Sequence, residues 1–194
     1  MNHLAHLALA GSEPAMLVGA ILGDHVKGRL TGNYPADIER GIRLHRAIDA
    51  FTDQHAMVRQ SQNRFDLRFR RYSGIILDVY FDYLLARSWS LYYPSELSRY
   101  SSEVLAVLVE QQGMLTDRAA QQVKHMHARN SLAAHGEQAY LEGALTHIST
   151  RLSRANPLTE AAAECKRIGD AIEPDFHAFY PCLHDFVEDW KLKF

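Results

Sequence analysis

Apolar and polar positions recur with helical spacing along almost the whole chain, and nowhere do they alternate in the two-residue period of a half-buried strand. Five prolines, at positions 14, 35, 94, 157 and 174, stand where helices are expected to begin, because proline suits a first turn and breaks an interior. Ser12-Glu13-Pro14 is expected to open a helix to about Gly23, and Tyr34-Pro35 a longer one through His45 toward Asp53. Residues 61–71 read as a basic amphipathic segment, and Gly74 to about Trp89 as an apolar helix. Pro94-Ser95-Glu96 opens another to Gln112, and Thr116–Ala134 and His135–Arg154 follow. Pro157 opens one toward Ile172, and Asp175 to about Lys191 forms the last. No repeat, low-complexity tract or dividing linker interrupts the series, so residues 1–194 are expected to form one compact all-α helical bundle, with helix faces supplying any site.

The apolar run at 74–86, GIILDVYFDYLLA, changes the picture, because Asp78 and Asp82 interrupt it and no lysine or arginine lies within it. A helix this rich in Leu, Tyr and Phe is largely buried and carries its acids inward. Four residues apart, they share a face with Cβ atoms roughly 5–6 Å apart, and like charges there repel. An unpaired buried charge costs several kcal/mol, so either a metal ion or an arginine such as Arg46, Arg70 or Arg71 must compensate.

The same spacing recurs at His45 and Asp49, which border the buried stripe of Gly41, Leu44, Ile48 and Phe51, with Asp53 and His55 continuing the ridge. In LGDHVKG, at 22–28, Gly23 ends an apolar helix and crowds Asp24, His25 and Lys27 into one turn suited to phosphate and metal chemistry. His3 and His6 share a face if the first segment is helical. Each feature has a plainer reading: a core histidine held by its carboxylate, a turn residue, a half-buried imidazole. His125, His127, His135, His147, His177 and His184 read as surface or packing residues. Taken together, a histidine and aspartate set without thiolate favours manganese, iron or magnesium over structural zinc.

Composition narrows the functional classes. A formal charge of −2 with interspersed signs disfavours a general nucleic-acid or anionic-membrane binder. Cys165 and Cys182 lack CxxC spacing, which suits a reducing compartment. The first residues lack the basic start and long apolar core of a signal peptide, and no stretch reaches membrane-spanning length, so a soluble cytoplasmic protein is expected.

The ordered strings NHLAHLALA, MLVGAILGDHVKG, YPADIERGIRLHRAIDAFTDQHAMVRQS, RRYSGIILDVYFDYLLARSW and FHAFYPCL resemble the acyl carrier protein phosphodiesterase family, specifically over residues 1–92. The resemblance implies an HD-phosphohydrolase-like helical fold and manganese-dependent hydrolysis of the phosphodiester joining 4′-phosphopantetheine to a serine of acyl carrier protein. It places Asp24 in a glycine-aspartate motif, His45, Arg46 and Asp49 in LHR-x-x-D, Asp78 and Asp82 in LD-x-x-x-D, and His6 in the opening motif. His3 stands where phenylalanine is usual, and Tyr83 where histidine often follows the second helical aspartate.

On this reading Asp24, His45 and Asp78 ligate the metal directly, Asp49 and Asp82 ligate or orient, and His6 is a further candidate. The ion is expected to be Mn²⁺, with Mg²⁺ or Fe²⁺ as alternatives. Lys27 and Arg46 would hold phosphate oxygens and His55 or His25 would protonate the leaving serine. An acidic carrier protein would dock on Arg59, Arg64, Arg68, Arg70 and Arg71, just before the helix bearing Asp78 and Asp82. Two alternatives stay open: a phosphohydrolase acting on small nucleotides, and a metal-free helical binding protein with arginine-paired acids.

Overall fold

A computed structural model describes all 194 residues as ten helices and no strand: α1 (His3–Ala10), α2 (Pro14–His25), α3 (Ala36–Gln54), α4 (Ala56–Arg64), α5 (Leu67–Arg70), α6 (Ser73–Arg87), α7 (Leu97–Glu110), α8 (Asp117–Ala128), α9 (Gln138–Arg151) and α10 (Ala161–Lys193). Forty-seven buried apolar residues form one contiguous cluster, so a single core serves all ten helices. Phe81 of α6 lies at its centre against Phe176 and Phe179 of α10. No helix is long and apolar enough to cross a membrane.

Small residues set the crossing that carries the site. Gly19 of α2 meets Gly41 of α3, and a Cβ on Gly19 would fall 2.5 Å from the Gly41 Cα, so these two backbones approach as only glycines allow. Pro35 precedes α3 as expected, and Asp37 and Glu39 place negative charge on its first turn. The buried Glu39 carboxylate accepts from the Gly32 amide at 2.8 Å and the Arg43 guanidinium at 2.7 Å, fixing the chain that leads into the helix.

Three sequence expectations are corrected. The two helices expected on either side of Pro174 are one 33-residue helix, α10, with Pro174 and Pro181 inside it. Both prolines are exposed, so the carbonyls they leave without donors face water, while Ile172, Phe176, Phe179, Tyr180 and Leu183 keep the opposite face on the core. The helix expected to reach Ala134 stops at Ala128, because Asn130 turns with φ of 44°, a left-handed conformation that asparagine tolerates. The basic segment at 61–71 is two short helices, broken where Phe65 turns into the core.

Candidate metal centre

Two crossing helices and the short α1 bring the chemistry together. His45 and Asp49 project from α3, Asp24 ends α2, and α1 presents His3 and His6 from one face. The ring of His6 stacks on that of His45 with centroids 3.8 Å apart and planes within 11°. Asp49 spans both rings: Oδ1 lies 3.1 Å from His6 Nε2 and Oδ2 lies 3.3 Å from His45 Nε2. Potential ligand atoms of His6, His45 and Asp49 all fall within 4.8 Å of one another. Asp24 extends the group, with Oδ1 3.7 Å from His45 Nε2 and Oδ2 3.7 Å from His3 Nε2.

Local structure fixes these side chains. His45 Nδ1 donates to the Ala20 carbonyl at 2.8 Å, a tautomer assigned from that partner, which turns Nε2 toward the carboxylates. With Nδ1 so engaged, Nε2 faces Asp49 and Asp24, where either a ring proton or a cation between them can join the imidazole to the carboxylates. Gly23 gives the ring its room, since a Cβ there would lie 2.2 Å from His45 Cγ. Burial lowers the His6 pKa to about 4, so its imidazole is neutral near pH 7 and available as a ligand. Burial alone would raise Asp49, yet hydrogen bonds from His45 and His6 hold it well below the usual carboxylate range. Two imidazoles with two carboxylates, one imidazole oriented through a backbone carbonyl, fit a divalent ion.

Asp78 and Asp82 are compensated by neither an arginine nor another side-chain cation. The Met1 ammonium lies 2.7 Å from Asp78 Oδ1. Asp82 is 0% exposed and caps α1 from α6: it accepts from the amides of Leu4 at 2.7 Å, Ala5 at 3.2 Å and Asn2 at 3.3 Å. The Asn2 side chain makes no cap of its own, so those first-turn amides would otherwise be orphaned. Burial pushes the Asp82 pKa up to about 6.

The remaining candidates separate. His25, beside Asp24, bonds Gln122 of α8 at 3.1 Å, and the Gln122 amide bonds His3 at 2.6 Å. Lys27 is exposed. Arg46 uses two guanidinium nitrogens on the carbonyls of Gly28 and Val26, each at 2.8 Å, so it braces the turn after α2. His55 is drawn elsewhere: its ring packs against Phe51 and Phe179, and Nδ1 accepts from the Met57 amide at 3.3 Å. Of the arginines expected to dock a partner, Arg64 grips Asp175, Arg68 pairs with Glu160 at 2.7 Å, and Arg70 bonds the carbonyls of Asn63 and Phe65. Arg59 and Arg71 are exposed. Sequence reasoning missed Gln122, an unremarkable polar position of α8, and the buried His135, whose Nε2 lies 3.6 Å from Asp82 Oδ2. Neither has a motif around it that marks it.

Comparison with known proteins bears on this arrangement. A family model described as acyl carrier protein phosphodiesterase matches residues 1–183. A Klebsiella pneumoniae (strain 342) protein named acyl carrier protein phosphodiesterase is 29% identical, with 99% of this chain and 100% of that protein aligned. Proteins of the same name from Enterobacter sp. (strain 638) and Escherichia coli O6:H1 are each 31% identical, with 93% of this chain and 94% of those proteins aligned. No solved structure matches.

Proposed function

Because the chain belongs to the acyl carrier protein phosphodiesterase family, we propose that it hydrolyses the phosphodiester linking 4′-phosphopantetheine to a serine of holo acyl carrier protein, releasing apo carrier protein and 4′-phosphopantetheine. The observation that carries the reading is the stacked His6 and His45 pair sharing Asp49, with Asp24 within 3.7 Å of His45. His6, His45, Asp49 and Asp24 would hold one divalent ion, Mn²⁺ first among candidates, with Asp78 bordering them. Such an ion lowers the pKa of water toward neutrality and offsets the negative phosphate oxygens that repel a nucleophile.

The chain's own groups supply the rest. Lys27 is free to meet a phosphate oxygen, whereas Arg46 spends its guanidinium on the carbonyls of Val26 and Gly28 and so braces the turn that carries Lys27. Water adds to phosphorus as the bond to the serine oxygen breaks, and that oxygen needs a proton. His25 is better placed than His55 to give it, since it adjoins Asp24 while His55 caps α4. Arg59 and Arg71 are the arginines left to attract an acidic carrier protein.

Holo acyl carrier protein incubated with the protein and Mn²⁺, followed by intact-mass analysis, tests this directly. Loss of the phosphopantetheine mass is expected, and it should stop with chelator and with His45→Ala. An unchanged mass with folded, metal-loaded protein sinks the reading, and hydrolysis of small nucleotide diesters instead would assign a different substrate.

A further inference from the structure

We propose that Asp82 is a positioning residue: from α6 it anchors the first turn of α1 and thereby sets the angle at which His6 stacks on His45 and meets Asp49. The inference rests on the metal-centre reading for its consequence, though its geometry stands without a metal. Asp82 is fully buried, and its two oxygens are taken by three backbone amides that have no other cap. The third amide belongs to Ala5, next to His6, so the anchor acts one residue from the imidazole it directs. Turning Asp82 away from α1 toward an ion would strip amides of their acceptor inside an apolar core, leaving buried donors unpaired.

His135 closes the far side. Its Nδ1 donates to the Ser131 carbonyl at 2.8 Å, while the buried Nε2 has no hydrogen-bond partner and faces Asp82 Oδ2 at 3.6 Å. The carboxylate is thus enclosed between α1 and the 3₁₀ turn at Ala133–Gly136, and its free energy is committed to orienting a helix. The same turn of α1 carries His3, which reaches Asp24 and Gln122, so one anchor orients both imidazoles. Outer-shell groups of this kind typically change metal affinity by about 10–100-fold when removed.

Amide hydrogen exchange and imidazole ¹⁵N spectra of wild-type protein, metal-free and then saturated with Mg²⁺ or Zn²⁺, test the anchor. The Leu4 and Ala5 amides should stay protected in both states; their release on metal saturation would show Asp82 leaving to ligate and overturn the proposal. Asp82→Asn and Asp82→Ala extend the test. In metal-free Asp82→Ala the His6 ring signals should shift and the Leu4 and Ala5 amides lose protection, while Asp82→Asn, whose remaining oxygen still accepts, is partly spared. Mn²⁺ titration should give unchanged stoichiometry with affinity about 10–100-fold weaker for Asp82→Ala. Stoichiometric binding abolished in Asp82→Asn as in His45→Ala, or unchanged His6 signals and Mn²⁺ affinity in Asp82→Ala, would each overturn it. Should the Asp82 variants not fold, the wild-type exchange data still decide, since the Leu4 and Ala5 amides either stay protected on metal saturation or are released. Wild-type protein that binds no Mn²⁺ would count against the metal reading, while the metal-free signals of His6, Leu4 and Ala5 report on the anchor independently.

Discussion

At Gly23 the absence of a side chain is what lets the His45 ring lie flat against the end of α2. A methyl group there would need to occupy space 2.2 Å from Cγ and 2.5 Å from Nδ1 of that ring. Gly23→Ala should therefore swing His45 off the Ala20 carbonyl and away from Asp49, with helix content preserved because alanine is the better helix former. Mn²⁺ affinity is expected to fall by at least about 10-fold, as for loss of an orienting partner, with circular dichroism unchanged. Retained affinity would mean the ring has another way to meet Asp49. This is also the scale at which sequence was most and least informative. His45 and Asp49 share a face through their four-residue spacing, so the pair is readable directly from the chain. The partners of Asp82 are not: a carboxylate in an apolar run announces only that something positive must meet it. Backbone amides of a helix start nearly eighty residues away have no side-chain signature.

Among the elements, α10 is held to α4 by one buried acid. Asp175 accepts from Gln60 at 2.7 Å, Ser61 at 3.0 Å and Arg64 at 2.8 and 3.1 Å, which holds its carboxyl below the usual range despite burial. The contact follows directly on Pro174, so it fixes the helix where a missing amide weakens it. Asp175→Ala leaves four donor groups of three side chains without an acceptor. Because Arg64 still reaches water, the expected loss is about 2–3 kcal/mol rather than that of a fully buried pair, measurable by urea denaturation. A change under about 0.5 kcal/mol would mean the two helices are held by apolar packing alone. The prolines expected to start helices are legible at Pro14, which opens α2, and at Pro35, which immediately precedes α3. They mislead at Pro174, because a proline on the solvent face of a long, well-packed helix can be accommodated without ending it. The basic segment of α4 and α5 is similarly half-legible, since arginine count does not distinguish guanidinium groups used internally from those free to dock. Arg59→Glu with Arg71→Glu should raise KM for carrier protein and leave hydrolysis of a small diester unchanged, whereas equal loss on both substrates would place these residues in the chemistry.

For the whole molecule, burial of titratable groups makes stability depend on pH in a direction that can be worked out. His6 and His135 are held at about 4 in the folded protein, so each contributes stability that is present above about 6.5 and lost as pH falls toward 4. Asp82, pushed up to about 6, acts oppositely, its contribution being present below about 4 and lost as pH rises through 6. Near pH 5 unfolding thus takes up roughly one net proton, and metal-free protein should gain about 1.4 kcal/mol per pH unit between about 4.5 and 6. His3 and His55, also lowered by burial, add to the rise, and Asp78, raised by burial, offsets part of it. His135→Gln removes one proton uptake and should flatten the slope, while a stability that falls over this range would reverse the assignment. Metal binding provides the complementary test, because the His6, His45, Asp49 and Asp24 group ties α1, α2 and α3 to one point. A ligand that binds only the folded state stabilises it by about 2.7 kcal/mol at a hundred times its Kd. For a chain of this length that corresponds to a Tm increase of roughly 5–10 °C on adding Mn²⁺, reversed by chelator. His45→Ala should abolish the increase. A Tm indifferent to Mn²⁺ in wild-type protein would leave the stacked imidazoles as structural ballast in a metal-free bundle, with their lone pairs satisfied by protons alone.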